Sequence, residues 1–273
     1  MNDFCIPKAL KRFFLLAALS PFLILFEGCK PAPPSDVNIE LADHPKAKHL
    51  LAPGRGTIGI IEEGAVNIFY LDKENQWVPD PDSRFTIPEK NQGILAMGDG
   101  TIGVRIRGGM HFYKLSASQT WEKDPALTFD LPRRYGHMLS VKMPWETGIL
   151  AFERDRYLEF YYHEDGEWLY DETALFSIPE GITHYFSMGN MTIAIVEGGK
   201  LGLYYLHPEG DWRFLEDHVL RLPDAYDAII PYEMGVIAIL KEQQLDFYEL
   251  NLSTGRWSVY EEVSFQLPKK NER

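Results

Sequence analysis

Short runs of alternating apolar and polar residues fill the chain from about residue 46 onward, and none sustains the 3.6-residue period of an amphipathic helix. One family of runs reads "VNIFYL", "MHFYKL", "YLEFYY", "LGLYYL" and "LDFYEL". Ahead of each lies a second apolar run, "TIGII", "TIGVRI", "GILAF", "TIAIV" or "VIAIL", and ahead of that a third, such as "GILAM" or "HYFSM". These runs are rich in Ile, Val, Phe and Tyr and are bounded by Gly, Asp, Asn, Glu and Lys, which predicts short antiparallel strands.

A fixed frame closes each unit. Trp77, Trp121, Trp168, Trp212 and Trp257 stand 44, 47, 44 and 45 residues apart, and each is followed eleven residues later by a proline, at 88, 132, 179, 223 and 268. The turn before the tryptophan varies in length, whereas the distance from tryptophan to proline does not. A surface hairpin tolerates insertion and a packed strand does not. The tryptophan is therefore expected to start an outer fourth strand and to fill the gap between neighbouring units. Phe85, Phe129, Phe176, Leu220 and Phe265 anchor the far end of that strand. The proline follows where a missing N–H costs no ladder bond.

Four strands in about 45 residues is the size of one propeller blade. The expected fold is an all-β, five-bladed β-propeller over residues 46 to 268, with blades at about 46–88, 89–132, 133–179, 180–223 and 224–268 and a short tail at 269–273. The repeats resemble kelch-type and other Trp-bearing propeller blades, in which an aromatic strand, a polar turn and a Trp recur once per blade. That resemblance implies the fold and leaves the chemistry open. The kelch glycine pair ahead of the aromatic strand occurs here only as Gly108-Gly109 and Gly198-Gly199.

The amino-terminal thirty residues differ from the rest. Lys8, Lys11 and Arg12 precede an apolar run from Phe13 to Phe26 that Pro21 interrupts, the layout of a secretory signal rather than a membrane span. "FEGC" resembles the lipobox of bacterial lipoproteins, which implies cleavage after Gly28 and lipidation of Cys29. The mature protein is then expected to be exported and held on the inner or outer membrane of a bacterium by its acyl chains. "KPAPPSD" reads as an extended tether within residues 29–45, and "DVNIELADHP" as an added edge strand next to the last blade.

Composition narrows the partners. Setting aside residues 1–28, with three basic and two acidic side chains, leaves 24 basic and 38 acidic residues, a net of −14. Such a surface repels nucleic acid. With Cys5 removed, Cys29 is the only cysteine left, so the domain relies on its core rather than on disulfides. No nucleophile motif, P-loop or linear metal cluster occurs, and no cofactor is expected. Glycoside hydrolysis needs two carboxyls facing one cavity. Asp99, Glu146, Asp227 and Glu233 occupy different repeat positions and are expected at different heights.

Superimposing the units brings out one further pattern. The residue just before the innermost strand is His49, Gly93, His137, His184 or Ala228, with Lys48, Gln92, Thr183 and Asp227 one place earlier. Three histidines at one repeat position are expected near one mouth of the central channel. They form a polar recognition rim, and a metal site only if His49, His137 and His184 approach closely enough to share an ion. Trp145, in "MPWET", lies outside the blade frame and is either an exposed stacking group or folded onto its own hairpin. The expected function is that of a lipid-anchored, non-catalytic, monomeric propeller recognising a protein or glycan at the cell envelope. A five-bladed glycoside hydrolase or lectin-like sugar binder is the alternative.

Overall fold

A computed structural model describes residues 50–268 apart from 55, 144, 145 and 234. The signal segment, Cys29, the tether with its edge strand, Lys48, His49, Trp145 and the tail lie outside the described residues. Within them the chain is all-β and forms the five expected antiparallel blades.

Blade 1 contains β1 (Leu50–Leu51), β2 (Thr57–Glu62), β3 (Ala65–Leu71) and β4 (Trp77–Thr86). Blade 2 contains β5 (Gly93–Gly98), β6 (Thr101–Ile106), β7 (Gly109–Leu115) and β8 (Trp121–Asp130). In blade 3 these are β9 (Met138–Met143), β10 (Glu146–Arg154), β11 (Tyr157–Glu164) and β12 (Glu167–Ser177). Blade 4 has β13 (His184–Gly189), β14 (Thr192–Glu197), β15 (Lys200–Leu206) and an outer strand split into β16 (Trp212–Phe214) and β17 (Leu220–Arg221). Blade 5 has β18 (Ala228–Glu233), β19 (Val236–Lys241), β20 (Gln244–Asn251) and β21 (Arg256–Gln266). Each blade pairs its own strands in sequence order from the axis outward.

Blades that radiate from an axis leave little room at the centre and a widening gap at the rim. Near the axis the residue two places after Leu50, Ile94, Met138, Tyr185 and Ile229 is accordingly small or compact: Ala52, Ala96, Ser140, Ser187 and Pro231, all buried. On the second strand, the position paired with Leu51, Leu95, Leu139, Phe186 and Ile230 is Gly59, Gly103, Ala151, Ala194 or Ala238, also buried.

At the rim the gap is filled by the tryptophans, each partly buried and each turned toward the preceding blade. Trp168 stacks on Phe112 of blade 2 at 5.5 Å and 24°, and Trp212 on Phe160 of blade 3 at 5.5 Å and 26°. The phenylalanines expected to anchor their own strands hold the next blade's indole as well. Phe85 meets Trp121 at 5.2 Å, Phe129 meets Trp168 at 5.2 Å and Phe176 meets Trp212 at 4.9 Å.

The fixed Trp-to-Pro spacing follows from a second feature of the outer strand. Against β3, Val66 faces Phe85 while Ile68 faces Asp80, so three extra residues bulge out of β4, and β8, β12 and β21 repeat the insertion. The bulge aims a backbone carbonyl at the next blade's indole N–H. Trp121 donates to Ser83 at 2.8 Å, Trp168 to Leu127 at 3.0 Å, Trp212 to Ala174 at 3.2 Å and Trp257 to His218 at 3.0 Å. Every acceptor lies six residues beyond its own blade's tryptophan. Asp80, Asp124 and Asp171 hold the bulge open by accepting the N–H of Ser83, Ala126 and Thr173. In blade 4, where Leu215 replaces the aspartate, a 3-10 turn over Glu216–His218 takes the place of the bulge.

Past the bulge, the residue before each proline makes the last rung. Ile87, Leu131, Ile178, Leu222 and Leu267 donate to the hairpin carbonyls of Gly64, Gly108, Arg156, Gly199 and Gln243. The proline that follows needs no partner for an N–H it lacks.

Among the described residues, blades 5 and 1 meet without exchanging a strand. Trp77 of blade 1 stacks on Phe247 of blade 5 at 5.8 Å and 21°, and meets Phe265 edge-on at 5.3 Å. Its indole N–H, unlike the other four, is buried without a partner among the described residues.

The two glycine pairs are not equivalent. Gly198 and Gly199 both lie in the hairpin with φ of 54° and 75°, whereas Gly109 already belongs to β7 and only Gly108, with φ of 83°, lies in the turn. The frame that repeats is built on the indole and not on a glycine pair.

Trp168→Ala empties a stacked aromatic site and strands the Leu127 carbonyl. It is expected to cost about 3 to 5 kcal/mol in denaturant unfolding. A loss within about 0.5 kcal/mol would mark the indole as a surface group.

Candidate functional site

One mouth of the ring is built from the connectors that lead into the inner strands and from the hairpins that follow the second strands. The connectors are pinned by a repeated bond: Gln92 N–H donates to the Arg105 carbonyl at 2.7 Å, Gly136 to Glu153 at 2.8 Å, Thr183 to Val196 at 2.8 Å and Asp227 to Leu240 at 2.7 Å. The backbone rim is thus uniform, and differences among blades lie in the side chains.

The second-strand position facing this rim reads Ile61, Arg105, Glu153, Val196 and Leu240. Only blades 2 and 3 are charged there, with opposite sign. The Arg105 guanidinium donates to the Gln92 carbonyl at 2.9 Å. Glu153 is the centre of a cluster between blades 3 and 4. Its Oε2 accepts the Tyr185 hydroxyl at 2.7 Å and the His137 backbone N–H at 3.3 Å, and lies 3.8 Å from His137 Nε2. The imidazole stands edge-on to the Tyr185 ring at 6.1 Å and 83°.

Gly136 permits this arrangement. A Cβ there would come within 3.0 Å of the Glu153 carboxylate, and the equivalent residues of blades 2, 4 and 5 are Gln92, Thr183 and Asp227. Burial pushes the Tyr185 hydroxyl well above its ordinary value, and the hydrogen bond and charge of Glu153 push the same way. Tyr185 thus donates to the Glu153 carboxylate.

The histidines expected on this rim are divided between two seams. His137 faces blade 4 through Glu153 and Tyr185, while His184 pairs with Val196 on the opposite face of blade 4 from Tyr185. Nδ1 of each is buried without a hydrogen-bond partner. Among the described residues, the three metal-type ligands that gather within 4.8 Å are His207, Glu209 and Asp211 in a turn of blade 4, and not the rim histidines. Arg213 already engages that turn, at 2.6 Å from Glu209 and 2.7 Å from Asp211, and its hydrogen bond lowers the Asp211 carboxyl below the ordinary range.

Thr183 lies on the rim with its hydroxyl bonded to the Val196 carbonyl at 3.1 Å, and Asp227 precedes β18 on the same rim. Asp99 sits beyond the other end of an inner strand, exposed and 4.0 Å from Lys114. It does not face Asp227 across one cavity. Glu146 and Glu233 fall within β10 and β18. Glu153, Tyr185 and Arg105 lie outside the histidine pattern that the repeat alignment brings out; their signal is in the second strand, where Arg105 and Glu153 stand among aliphatic residues.

No family model matches the chain, and no curated protein matches it. Solved structures similar to it include a protein of Lactobacillus plantarum at 10% identity and TM-score 0.36, covering 80% of this chain and 84% of that one. A functionally unknown protein of Desulfotomaculum acetoxidans is 13% identical with TM-score 0.39, covering 86% and 70%. Hsv2p of Kluyveromyces lactis is 8% identical with TM-score 0.40, covering 81% and 82%. None of these likenesses bears on the rim.

A tyrosine held neutral in the fold makes stability depend on alkaline pH. Its contribution is complete below the unfolded value of about 10 and is lost as pH rises toward the higher folded value. Tyr185→Phe is therefore expected to shallow the fall of unfolding free energy above pH 10 by up to about 1.4 kcal/mol per pH unit, the effect of one proton. Identical slopes for the two proteins would show that the hydroxyl titrates as if in water.

Proposed function

We propose that this protein is a lipid-anchored recognition disc of the bacterial cell envelope. Its ligand is a hydroxylated or peptidic group of a glycan or protein, bound at the connector-side mouth of the ring. The observation that carries the reading is the clustering of Glu153, Tyr185 and His137 between blades 3 and 4 at a mouth whose backbone is otherwise uniform. A stiff frame with unequal side chains around one opening suits recognition of one partner better than five equal sugar sites.

The His137 side chain is half exposed beside Glu153, and its Nε2 is placed to bond a ligand bearing hydroxyl or amide groups. Glycoside hydrolysis ranks lower because its chemistry needs a second carboxyl facing the first across a cavity, and Asp99 lies toward the other end of the ring. Anchoring at Cys29 is supported by the "FEGC" motif behind a basic and apolar leader.

Two measurements test the two halves. Cys29→Ser is expected to abolish incorporation of labelled fatty acid during bacterial expression, and undiminished labelling would refute lipidation at this cysteine. Screening the protein against envelope glycans and envelope proteins is expected to find a ligand whose affinity falls about ten-fold in Glu153→Gln or His137→Ala, the worth of one well-made hydrogen bond. A ligand bound equally by both variants places recognition elsewhere on the disc.

A further inference from the structure

Four of the five seams between blades are crossed by the chain itself, with six residues between the last outer rung and the inner-strand residue equivalent to Leu50, which is Ile94, Met138, Tyr185 or Ile229. Some of these connectors also fill the seam. Tyr135 lies edge-on to Phe152 at 5.2 Å between blades 2 and 3, and Ile182 and Tyr226 pack against the clusters of the next two seams. Between blade 5 and blade 1 no described connector crosses. There a cavity of about 430 Å³ opens between Ile60, Phe69, Pro79 and Arg84 of blade 1 and Pro268 at the end of blade 5. Ile60 holds the repeat position of Phe152. This is also the seam whose tryptophan, Trp77, keeps a buried N–H without a partner among the described residues.

We propose that the segment Val37–Leu41 of this same chain occupies the cavity and seals the ring. Three observations select it. Both ends of the described chain flank the cavity, since Leu50 pairs with Ile60 and Pro268 lines the wall. "VNIEL" repeats the apolar-polar alternation of Val263-Ser264-Phe265-Gln266-Leu267, the end of an outer strand, and eight residues join Leu41 to Leu50 where six serve in the other seams. The other candidate within reach, the tail "KKNER", has no apolar side chain. Val37, Ile39 and Leu41 present one apolar face to Ile60 and Phe69.

Docking has a consequence for orientation that rests on the lipidation reading. Only the seven residues Lys30 to Asp36 would then separate Cys29 from the disc, a reach of at most about 25 Å, against about 70 Å for a free tether through His49. The seam between blades 5 and 1 would be held close to the membrane, with the rest of the disc projecting from it.

The test uses the full chain in detergent with Cys5→Ser and Cys29→Ser, which removes the native thiols and the anchor together and so separates docking from lipidation. Cysteines are added by Ile39→Cys and Asn67→Cys, Asn67 being another residue of the cavity wall. The control pairs Ile39→Cys with Glu159→Cys, the same repeat position in blade 3. An intrachain disulfide is expected to form about ten-fold faster in the first pair, because docking raises the effective concentration well above that of a free tether. Equal rates would overturn the proposal, and disulfide-linked dimers would assign the cavity to a second copy. Hydrogen exchange on the chain carrying only the two serine substitutions gives an independent reading: amides 38–41 are expected to be protected relative to those of Ala32, Ser35 and Asp36, and equal exchange would also overturn it.

Discussion

The fold depends on filling the space between neighbouring blades where that space is widest. A disc of radiating sheets has no layer beneath it, so each blade is held only by the faces of its two neighbours. In this protein the outer part of every face is organised by one indole. The indole stacks on, or packs beside, the third strand of the preceding blade, meets its outer-strand anchor, and in four seams donates its N–H to a carbonyl turned outward by a bulge or, in blade 4, by a 3-10 turn. The bulge interrupts the ladder of its own blade in order to satisfy a donor of the next. A tryptophan therefore commits two blades at once, and the constant stretch from Trp to Pro is the record of that double duty.

Much of this was legible in the residues. Period-two apolar runs fixed the strands, and the recurrence of Trp every 44 to 47 residues fixed the number of blades. The aspartate three residues after three of the tryptophans was visible as well, yet its role was not, because a carboxylate that caps a bulge reads as an ordinary exposed strand residue until the register shift is known. The direction of each indole was equally hidden: the sequence places Phe85 in the same strand as Trp77, whereas the structure packs it on Trp121 of the following blade. Periodicity reports which residues share a face and is silent on which neighbour that face meets.

The candidate site was legible only in part for a related reason. A repeat invites comparison of equivalent positions, and the histidines before the inner strands stand out at once. Equivalence under rotation brings backbones to one mouth, but each side chain still leans toward one adjacent blade. His137 consequently meets Tyr185 and Glu153, and His184 lies on the far side of blade 4. What distinguishes the mouth chemically is the departure of single blades from the repeat: Arg105 and Glu153 beside aliphatic Ile61, Val196 and Leu240, Tyr185 among Leu50, Ile94, Met138 and Ile229, and Gly136 where its counterparts carry side chains. Symmetry supplies the frame, and the broken positions supply the chemistry.

The dependence of one blade on the next is measured most directly by a double-mutant cycle across a seam, with Trp168→Phe on blade 3 and Phe112→Leu on blade 2, followed by denaturant unfolding of the four proteins. The stacked pair at 5.5 Å is expected to show a coupling of about 0.5 to 1.5 kcal/mol. Additive losses, with no coupling beyond the error of the cycle, would contradict the account and leave the repeated tryptophan without its proposed part in joining the blades.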